Sequence, residues 1–216
     1  MKAPEIVVVA AGPGPAVALP DVGTVVAADG GADRAAALGL VVDVVIGDLD
    51  SISPERLAAL EERGARVIQH EAAKDATDLE LALDHALELG VRRVLVVASA
   101  EGRLDHLFAS LVLLASERYA PLELDALVGT AHVHVVRGSR RLAGAKGELL
   151  SLFALGGPAR DIVTLGLAFP LHGETLHPSS SRGVSNVFTG REAAVAVGGG
   201  VLLAIRPGEA AVAGSA

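Results

Sequence analysis

The chain has no cysteine and no tryptophan, and only one tyrosine and four phenylalanines among 216 residues. The lack of cysteine excludes disulfide bonds and cysteine-ligated metals, and it fits a reducing cytoplasm, where we expect the protein. The formal net charge of −8, with so few aromatic residues, leaves neither the basic face nor the stacking platform of a nucleic-acid binder. No apolar run reaches the ~18 residues that a membrane span needs, so we expect no membrane partner.

What the first 130 residues do contain is a regular alternation of short β-branched runs and helical patterns. Such alternation predicts crossover connections and a mostly parallel, Rossmann-like sheet in an α/β domain over residues 1–130. The predicted strands are Ile6–Ala10, Thr24–Ala28, Val42–Ile46, Arg66–Gln69, Arg93–Ala98 and Leu122–Val128. The predicted helices are Ala32–Leu38, Pro54–Arg63, Asp78–Leu89 and Leu104–Arg118.

After Gly129 no long helical pattern remains, and short strand-like runs are separated by Gly, Pro and Ser. This composition predicts a smaller all-β sandwich domain over residues 131–216. Its predicted strands are His132–Val136, Glu148–Ala154, Ile162–Leu165, Ala193–Val197 and Val201–Ile205.

Polar clusters follow four of the predicted strands of the first domain, and each contains an aspartate. In sheets of this kind, ligands bind outside the carboxyl ends of the strands. We therefore expect the clusters to form one shared site. The clusters are "ADGGADR", "GDLDS", "KDATD" and "EGRLDH".

The "GDLDS" cluster places Asp48 and Asp50 two residues apart. In an extended segment these side chains project to the same side. Paired carboxylates repel one another unless a cation lies between them, and Mg²⁺ is typically bound by one or two carboxylates and substrate phosphates. The alternative is an acidic lead-in to a helix that Ser53 caps and Pro54 begins.

The other clusters offer phosphate-binding groups beside equally plausible structural roles. Lys74 stands among carboxylates and is suited to pairing with a phosphate, while Thr77 with Glu80 has the form of a capping box. Gly30 and Gly31 allow a backbone to approach a ligand closely, but they also suit a strand-to-helix turn. Arg103 suits bidentate phosphate contact at a predicted helix start.

Taken in order and spacing, "DGGADR", "GDLDSI", "KDATDLELAL" and "GRLDH" resemble the thiamine pyrophosphokinase family. The second half is also similar to that family, above all in "SSSRGVSNVFTG". The resemblance implies transfer of the pyrophosphoryl group of ATP to the hydroxyl of thiamine, giving thiamine diphosphate and AMP. It further implies that residues 1–130 bind MgATP, that residues 131–216 bind thiamine and dimerise, and that the protein is a homodimer.

The resemblance also assigns site residues to this chain. It implies Asp48, Asp50 and Asp75 as ligands of Mg²⁺ and, with Arg103, as catalytic residues; Asp75 is the candidate base. It implies a second set of residues that bind the nucleotide, its phosphates or thiamine: Asp29, Gly30, Gly31, Lys74, Thr77, Asp78, Asp105, Ser185 and Asn186.

The chain departs from the family pattern in three places. Ser110 stands where an asparagine is usual, Glu101 stands where a glycine is common, and the tryptophan on which thiamine often stacks is missing; Phe188 is the candidate substitute. Two alternatives stay open at this point. One is a pyrophosphokinase acting on another small alcohol such as a hydroxymethylpterin, and the other is a non-catalytic MgATP-binding regulator.

Overall fold

A computed structural model of the chain describes residues 3–14, 19–73 and 75–208. These residues divide into two compact units. The first holds the described residues up to Ser110 together with Pro121–Gly129, and the second holds Leu111–Ala120 together with the described residues from Thr130 onward. Within the described ranges, no helix is both long and apolar enough to cross a membrane.

The first unit has the predicted alternation of strands and helices. Its strands are β1 (Ile6–Val9), β2 (Thr24–Ala28), β3 (Val44–Gly47), β4 (Arg66–Gln69), β5 (Arg93–Ala98) and β6 (Glu123–Val128). The helices are α1 (Gly31–Ala37), α2 (Pro54–Glu62), α3 (Asp78–Glu88) and α4 (Leu104–Leu114), which continues into the second unit. The helix predicted to reach Arg118 ends earlier, because Ser116 caps a separate 3-10 turn at Glu117–Tyr119.

The strands of the first unit lie in the order β4-β3-β2-β1-β5-β6, and their pairings are all parallel in the described residues. Strands β2, β3 and β4 are added one after another on one side of β1, and β5 and β6 are then added on its other side. The strand order therefore reverses between β1 and β5, which is where ligands bind in sheets wound in this way. Alternate residues such as Val7 and Val9 share a core with α1 and α2, while α3 packs against β1, β2 and β3.

The second unit is an antiparallel β structure. Its strands are β7 (Ala131–Val136), β8 (Ser139–Ala143), β9 (Leu149–Leu165), β10 (His172–Leu176), β11 (Asn186–Val187), β12 (Glu192–Ala196) and β13 (Gly199–Arg206). They pair in the order β7-β13-β9-β12-β8, with β10 and β11 also on β9. Strand pairing over the whole chain is thus mixed, parallel in the first unit and antiparallel in the second.

The long strand β9 differs from the prediction, which divided it into Glu148–Ala154 and Ile162–Leu165. The strand continues across Gly156, Gly157 and Pro158 as an irregular segment, in which Gly156 has a φ of 71° and the register with β13 shifts. β9 therefore pairs mainly with β13 through its first half and with β12 through its second. The prediction also omitted β8, β10 and β11. Their sequences are short and largely polar, and "SRRLA" of β8 buries only Leu142, so they lack the apolar signal of a core strand.

Candidate active site

Three aspartates converge at the carboxyl ends of β2 and β3. Asp29 follows β2, Asp48 follows β3 and Asp78 is the first residue of α3. One carboxylate oxygen of each lies within 4.8 Å of the others. Ionised carboxylates this close repel one another, and a hard divalent cation between them would remove the repulsion. The group therefore has the charge and the oxygen ligands that Mg²⁺ requires.

Gly47, the last residue of β3, makes room for this group. It has a φ of 150°, and a Cβ atom at this position would lie 2.9 Å from Asp78 Oδ1 and 3.0 Å from Asp29 Cβ. Any side chain here would push the two carboxylates apart. The glycine that precedes Asp48 in the sequence is thus a steric condition for the acidic group.

Asp29 has two features that are expensive in a purely structural residue. Its φ of 44° lies in the left-handed region, which costs free energy for a residue with a side chain. Its side chain is buried, and Oδ1 has no hydrogen-bond partner in the described structure. A buried carboxylate oxygen without a partner fits a cation ligand, because a bound ion would supply the missing interaction.

The predicted metal ligands Asp50 and Asp75 lie outside this group, and the reason for Asp50 is a backbone turn. Leu49 has a φ of 66°, so the segment is not extended and the two neighbouring carboxylates do not project together. The Leu49 side chain is buried in the core, whereas Asp50 is exposed and accepts a hydrogen bond from Ser51 Oγ at 3.0 Å. Asp75 is also exposed. The structure thus joins Asp29 and Asp78 to Asp48, where the prediction had Asp50 and Asp75.

The start of α3 takes the structural role that the capping pattern indicates. Thr77 is the N-cap residue, and its Oγ1 accepts a hydrogen bond from the Glu80 N–H at 3.2 Å. This cap fixes the first turn of α3 and with it the position of Asp78. The expected phosphate contact by Lys74 falls on a residue outside the described part of the chain.

Gly30 and Gly31 connect β2 to α1, and packing alone requires Gly31. A Cβ atom on Gly31 would lie 1.9 Å from the carbonyl oxygen of Val9, so only glycine lets α1 approach β1 this closely. Gly30 is less restricted, with 3.3 Å between its hypothetical Cβ and that of Ala11. The close backbone approach expected for a ligand is made at Gly31 by the protein itself.

Arg103 and Asp105 form a bidentate ion pair at the start of α4. Arg103 Nη2 lies 2.6 Å from Asp105 Oδ2, and Nε lies 3.2 Å from Oδ1. The hydrogen bond from Arg103 lowers the pKa of Asp105 to about 2. Both side chains are exposed, so solvent screens the pair and exchange of Asp105 for a phosphate costs little. In this structure the Arg103 guanidinium binds Asp105, and its contact with a phosphate stays a prediction.

Asn186, which is predicted to contact a ligand, binds main-chain atoms of its own unit in this structure. Its side chain is buried, its Oδ1 accepts hydrogen bonds from the N–H groups of Phe169 (3.0 Å) and Val187 (2.9 Å), and its Nδ2 donates to Phe169 O (2.7 Å). The amide therefore holds the main chain at Phe169. Ser185 is exposed with a φ of 59°, and its N–H donates to Ser151 Oγ at 3.0 Å.

Comparison with known proteins bears directly on the resemblance seen in the sequence. The model for the catalytic domain of thiamin pyrophosphokinase matches residues 18–124, and the model for its vitamin B1 binding domain matches residues 133–202. Together they span most of the chain, in the family's domain order. The chain belongs to the thiamine pyrophosphokinase family.

Individual thiamine pyrophosphokinases are distant in sequence and close in fold. The thiamine pyrophosphokinase of Bacillus subtilis (strain 168) is 23% identical over 170 residues, which are 78% of this chain and 79% of that one. Its crystal structure has a TM-score of 0.81 and covers 96% of this chain and 100% of its own. Thiamin pyrophosphokinase from Candida albicans, 14% identical, has a TM-score of 0.74 and covers 93% of this chain and 88% of its own.

The missing tryptophan of the thiamine pyrophosphokinase pattern directs attention to the phenylalanines. The candidate substitute Phe188 is almost fully buried in the core of the second unit and is not available for stacking. Phe169, by contrast, is 67% exposed and is the residue whose main chain Asn186 holds. The sequence analysis missed Phe169; the available signal was an aromatic residue beside Pro170 in a turn-like stretch.

Ser110 and Glu101, the other two departures from the family pattern, both form hydrogen bonds with nearby residues. Ser110 Oγ donates a hydrogen bond to His106 O, one turn back in α4, at 2.8 Å. Its hydroxyl is therefore used within the helix. Glu101 is exposed, and its N–H donates to Ser99 Oγ at 2.9 Å in the loop that follows β5.

Proposed function

We propose that the protein is a thiamine pyrophosphokinase that converts ATP and thiamine into AMP and thiamine diphosphate, and that it acts in the cytoplasm. The observation that carries the proposal is the group of Asp29, Asp48 and Asp78, which lies at the strand ends of a chain of this family. Pyrophosphoryl transfer needs positioning and charge neutralisation rather than covalent catalysis. An acidic rim that can hold a divalent cation supplies both.

In the proposed reaction the hydroxyl oxygen of thiamine forms a bond to the β-phosphorus of ATP. The bond between the β-phosphorus and the oxygen that bridges it to the α-phosphorus breaks, and AMP leaves with that oxygen. The hydroxyl proton passes to a base. The exposed Asp75 stays the predicted base, and Arg103 is placed to exchange Asp105 for a phosphate oxygen at the same rim.

Asp29, Asp48 and Asp78 would hold Mg²⁺. The ion, when bound, neutralises charge on the phosphate oxygens. The buried oxygen of Asp29 supports this assignment, because it has no other partner in the described structure. The parallel strands beside the cluster support a Rossmann-like nucleotide site in the first unit, since such sites lie outside the carboxyl ends of the strands.

For thiamine, the second unit offers an aromatic surface. The exposed ring of Phe169 would stack on a thiamine ring, and the exposed Ser185 would donate or accept a hydrogen bond. Asn186 contributes indirectly, since two of its three hydrogen bonds to main-chain atoms fix the N–H and the carbonyl group of Phe169. In this proposal Phe169 takes the stacking role that the sequence analysis gave to Phe188, and Asn186 positions Phe169 and does not contact thiamine itself.

The homodimer also remains a proposal, and α4 supports it. Leu104, Phe108 and Val112 recur every four residues along this helix, and all three are exposed. An apolar stripe of this kind is what two copies of a chain would bury against each other. We propose that α4 lies in the interface of a symmetric dimer.

The product of the reaction tests the activity. Purified protein is incubated with ATP, Mg²⁺ and thiamine, and nucleotides are separated by chromatography. We expect AMP and thiamine diphosphate in equal amounts, and no turnover in EDTA. Stoichiometric ADP would contradict pyrophosphoryl transfer, and AMP release with a hydroxymethylpterin but not with thiamine would assign a different acceptor. ATP binding without turnover on any acceptor would indicate a regulator.

Light scattering tests the dimer. We expect twice the mass of one chain, and a shift to the monomer mass for Phe108→Glu. Val41→Glu is the matched control, because Val41 and Phe108 are both 64% exposed but Val41 lies outside α4. A monomeric wild-type protein at micromolar concentration, or a dimer that survives Phe108→Glu, would contradict this interface.

A further inference from the structure

Arg34 is a buried cation whose surroundings do not account for its charge. It lies on α1 in the "DGGADR" segment and is only 7% exposed. Its Nη1 donates to the carbonyl oxygen of Gly12 at 2.9 Å. Nε and Nη2 are buried and have no hydrogen-bond partner in the described structure. Two unpartnered donors on a buried guanidinium are costly, so their retention calls for an explanation.

Among residues 3–14, 19–73 and 75–208, no carboxylate forms an ion pair with Arg34. Burial lowers the pKa of the guanidinium, and the charge of Glu101 opposes that effect. Glu101 is exposed, however, and no ion pair joins it to Arg34 among the described residues. Its influence is that of a charge at a distance and leaves both free donors of Arg34 unsatisfied.

The side chain of Arg34 reaches from α1 to a loop at the edge of the sheet where ligands of such folds bind. Gly12 lies in the loop after β1, and a Cβ atom on Gly12 would be 2.8 Å from Ser99 Cβ, in the loop after β5. Arg34 thus touches the loop at the point where the strand order reverses. Ligands of wound parallel sheets lie in the crevice at that point.

Gly14 packs directly against the guanidinium of Arg34. A Cβ atom on Gly14 would lie 2.5 Å from Nη1 and 2.7 Å from Nη2, so bare backbone lies against the guanidinium. Gly12 has a φ of 110°, a conformation that residues with side chains rarely adopt. A phosphate would reach the guanidinium only if this backbone shifts, because Gly14 lies against both Nη1 and Nη2.

We propose that Arg34 binds a phosphate group of the nucleotide through its Nε–Nη2 edge. This edge presents two parallel N–H donors, the geometry that holds two oxygens of one phosphate. Nη1 keeps its bond to Gly12, so the side chain links the phosphate to the loop after β1. The inference rests on the proposed function, because it assumes that a nucleotide binds at this rim.

Calorimetric titration of adenosine, AMP and MgATP into the wild type and its variants tests the proposal. Arg34→Met removes the charge and the donors, and Arg34→Lys keeps the charge but loses the paired donors. We expect Arg34→Met to weaken phosphate-bearing ligands roughly 10- to 100-fold and adenosine hardly at all, since charge-assisted hydrogen bonds are lost. Arg34→Lys should recover only part of the affinity. Arg63→Met is the control, because Arg63 is an exposed arginine at the C-terminal end of α2.

Thermal unfolding of the same variants separates this role from a structural one. Because Arg34 is buried with unpartnered donors, Arg34→Met should leave the Tm unchanged or raise it. A lower Tm with unchanged MgATP affinity would overturn the proposal and make Arg34 a packing residue. Equal losses of adenosine and AMP affinity would also overturn it. Failure of the wild type to bind MgATP would instead refute the proposed function itself.

Discussion

Two buried polar residues of the first unit, Asp29 and Arg34, contrast with two of the second, Asn186 and Thr164. In the first unit, Asp29 and Arg34 are buried and each keeps atoms without a hydrogen-bond partner in the described structure. In the second unit, Asn186 holds main-chain atoms of Phe169 and Val187, and the buried Thr164 Oγ1 accepts a hydrogen bond from Leu171 N–H at 2.8 Å. These two residues of the second unit are satisfied by the protein itself.

The contrast between these four residues separates candidates for ligand binding from residues that hold the backbone. A buried polar atom without a partner costs about 1–3 kcal/mol, so folding alone does not favour Asp29 and Arg34 at their positions. A ligand that supplies the missing interactions would recover that cost on binding. Asn186 and Thr164 recover it on folding, and they act by fixing the backbone that carries exposed groups such as Phe169.

The largest expected effect comes from exchanging Asp48 for Asn. The variant loses a ligand charge at the acidic group, and we expect turnover to fall by about 10³-fold, the scale of losing one electrostatic contact at a reacting centre. The Tm should stay the same or rise, because one of three mutually repelling charges is removed. AMP release at saturating Mg²⁺ and thermal unfolding measure the two quantities.

Asp50→Asn is the matched control for this change. Asp50 is two residues away but exposed and outside the acidic group, so its turnover should fall less than about tenfold. If both variants lose activity equally, the original pairing of Asp48 with Asp50 is correct and the cluster described above is not the metal site.

The second prediction contrasts the two phenylalanines near Asn186. Phe188→Ala empties a buried position and should lower the free energy of unfolding by about 3–5 kcal/mol. Phe169→Ala alters an exposed side chain and should change it by less than about 0.5 kcal/mol, while raising the KM for thiamine. Urea denaturation and initial rates measure these values. A thiamine KM that Phe169→Ala leaves unchanged would remove the stacking role.

The third prediction concerns Asn186. Asn186→Ala leaves main-chain donors and an acceptor of Phe169 unpaired, and should lower the free energy of unfolding by about 1–3 kcal/mol. It should also raise the thiamine KM, with little change in the KM for ATP. Asn186→Asp keeps the acceptor for the two N–H groups but loses the donor to Phe169 O. Its free energy of unfolding and its thiamine KM should therefore lie between those of the wild type and those of Asn186→Ala. A raised thiamine KM at unchanged stability would restore direct contact by Asn186.

The smallest expected effect is a change in the pKa of Asp105. Asp105 should titrate at a pKa of about 2, below its ordinary 3.8, because Arg103 bonds to the charged form. With a depressed folded pKa, the pair is intact above pH 3.8 and is lost as the pH falls through about 2. Carbon-detected NMR of the carboxyl group measures this value. Arg103→Gln should return it towards 3.8, and an unchanged midpoint would show that the pair does not persist in solution.

The fold was predictable where hydrophobic pattern determines it. Each of the six strands of the first unit contains at least two adjacent apolar residues, and predicted and observed limits differ by two residues or fewer. Pattern could not show that β9 continues across Gly156 and Gly157, since glycine suits a turn equally well and pairing with β13 on both sides of the irregular segment decides the outcome. The polar β8 is a strand because Leu142 and its neighbours pair with β12.

The sequence predicts which four motifs lie at the carboxyl ends of the strands, but it does not predict which aspartates of these motifs come together. The sequence places Asp48 and Asp50 at the same strand end, but the left-handed backbone of Leu49 separates them, and no local propensity favours that conformation for leucine. Burial of the Leu49 side chain offsets the strain, which is a tertiary effect. Asp29 and Asp78 join the group because separate elements and the bare Gly47 bring them together.

The position of β13 constrains the order of events during synthesis. This strand, Gly199–Arg206, lies between β7 and β9 and hydrogen-bonds to both, so neighbouring strands of the finished unit are far apart in the chain. Until residue 206 has left the ribosome, β7 and the first half of β9 expose the edges that β13 will cover. Exposed strand edges promote association between nascent chains. The last strand of the first unit, β6, ends at residue 128, so all strands of that unit are synthesised before the second unit is complete.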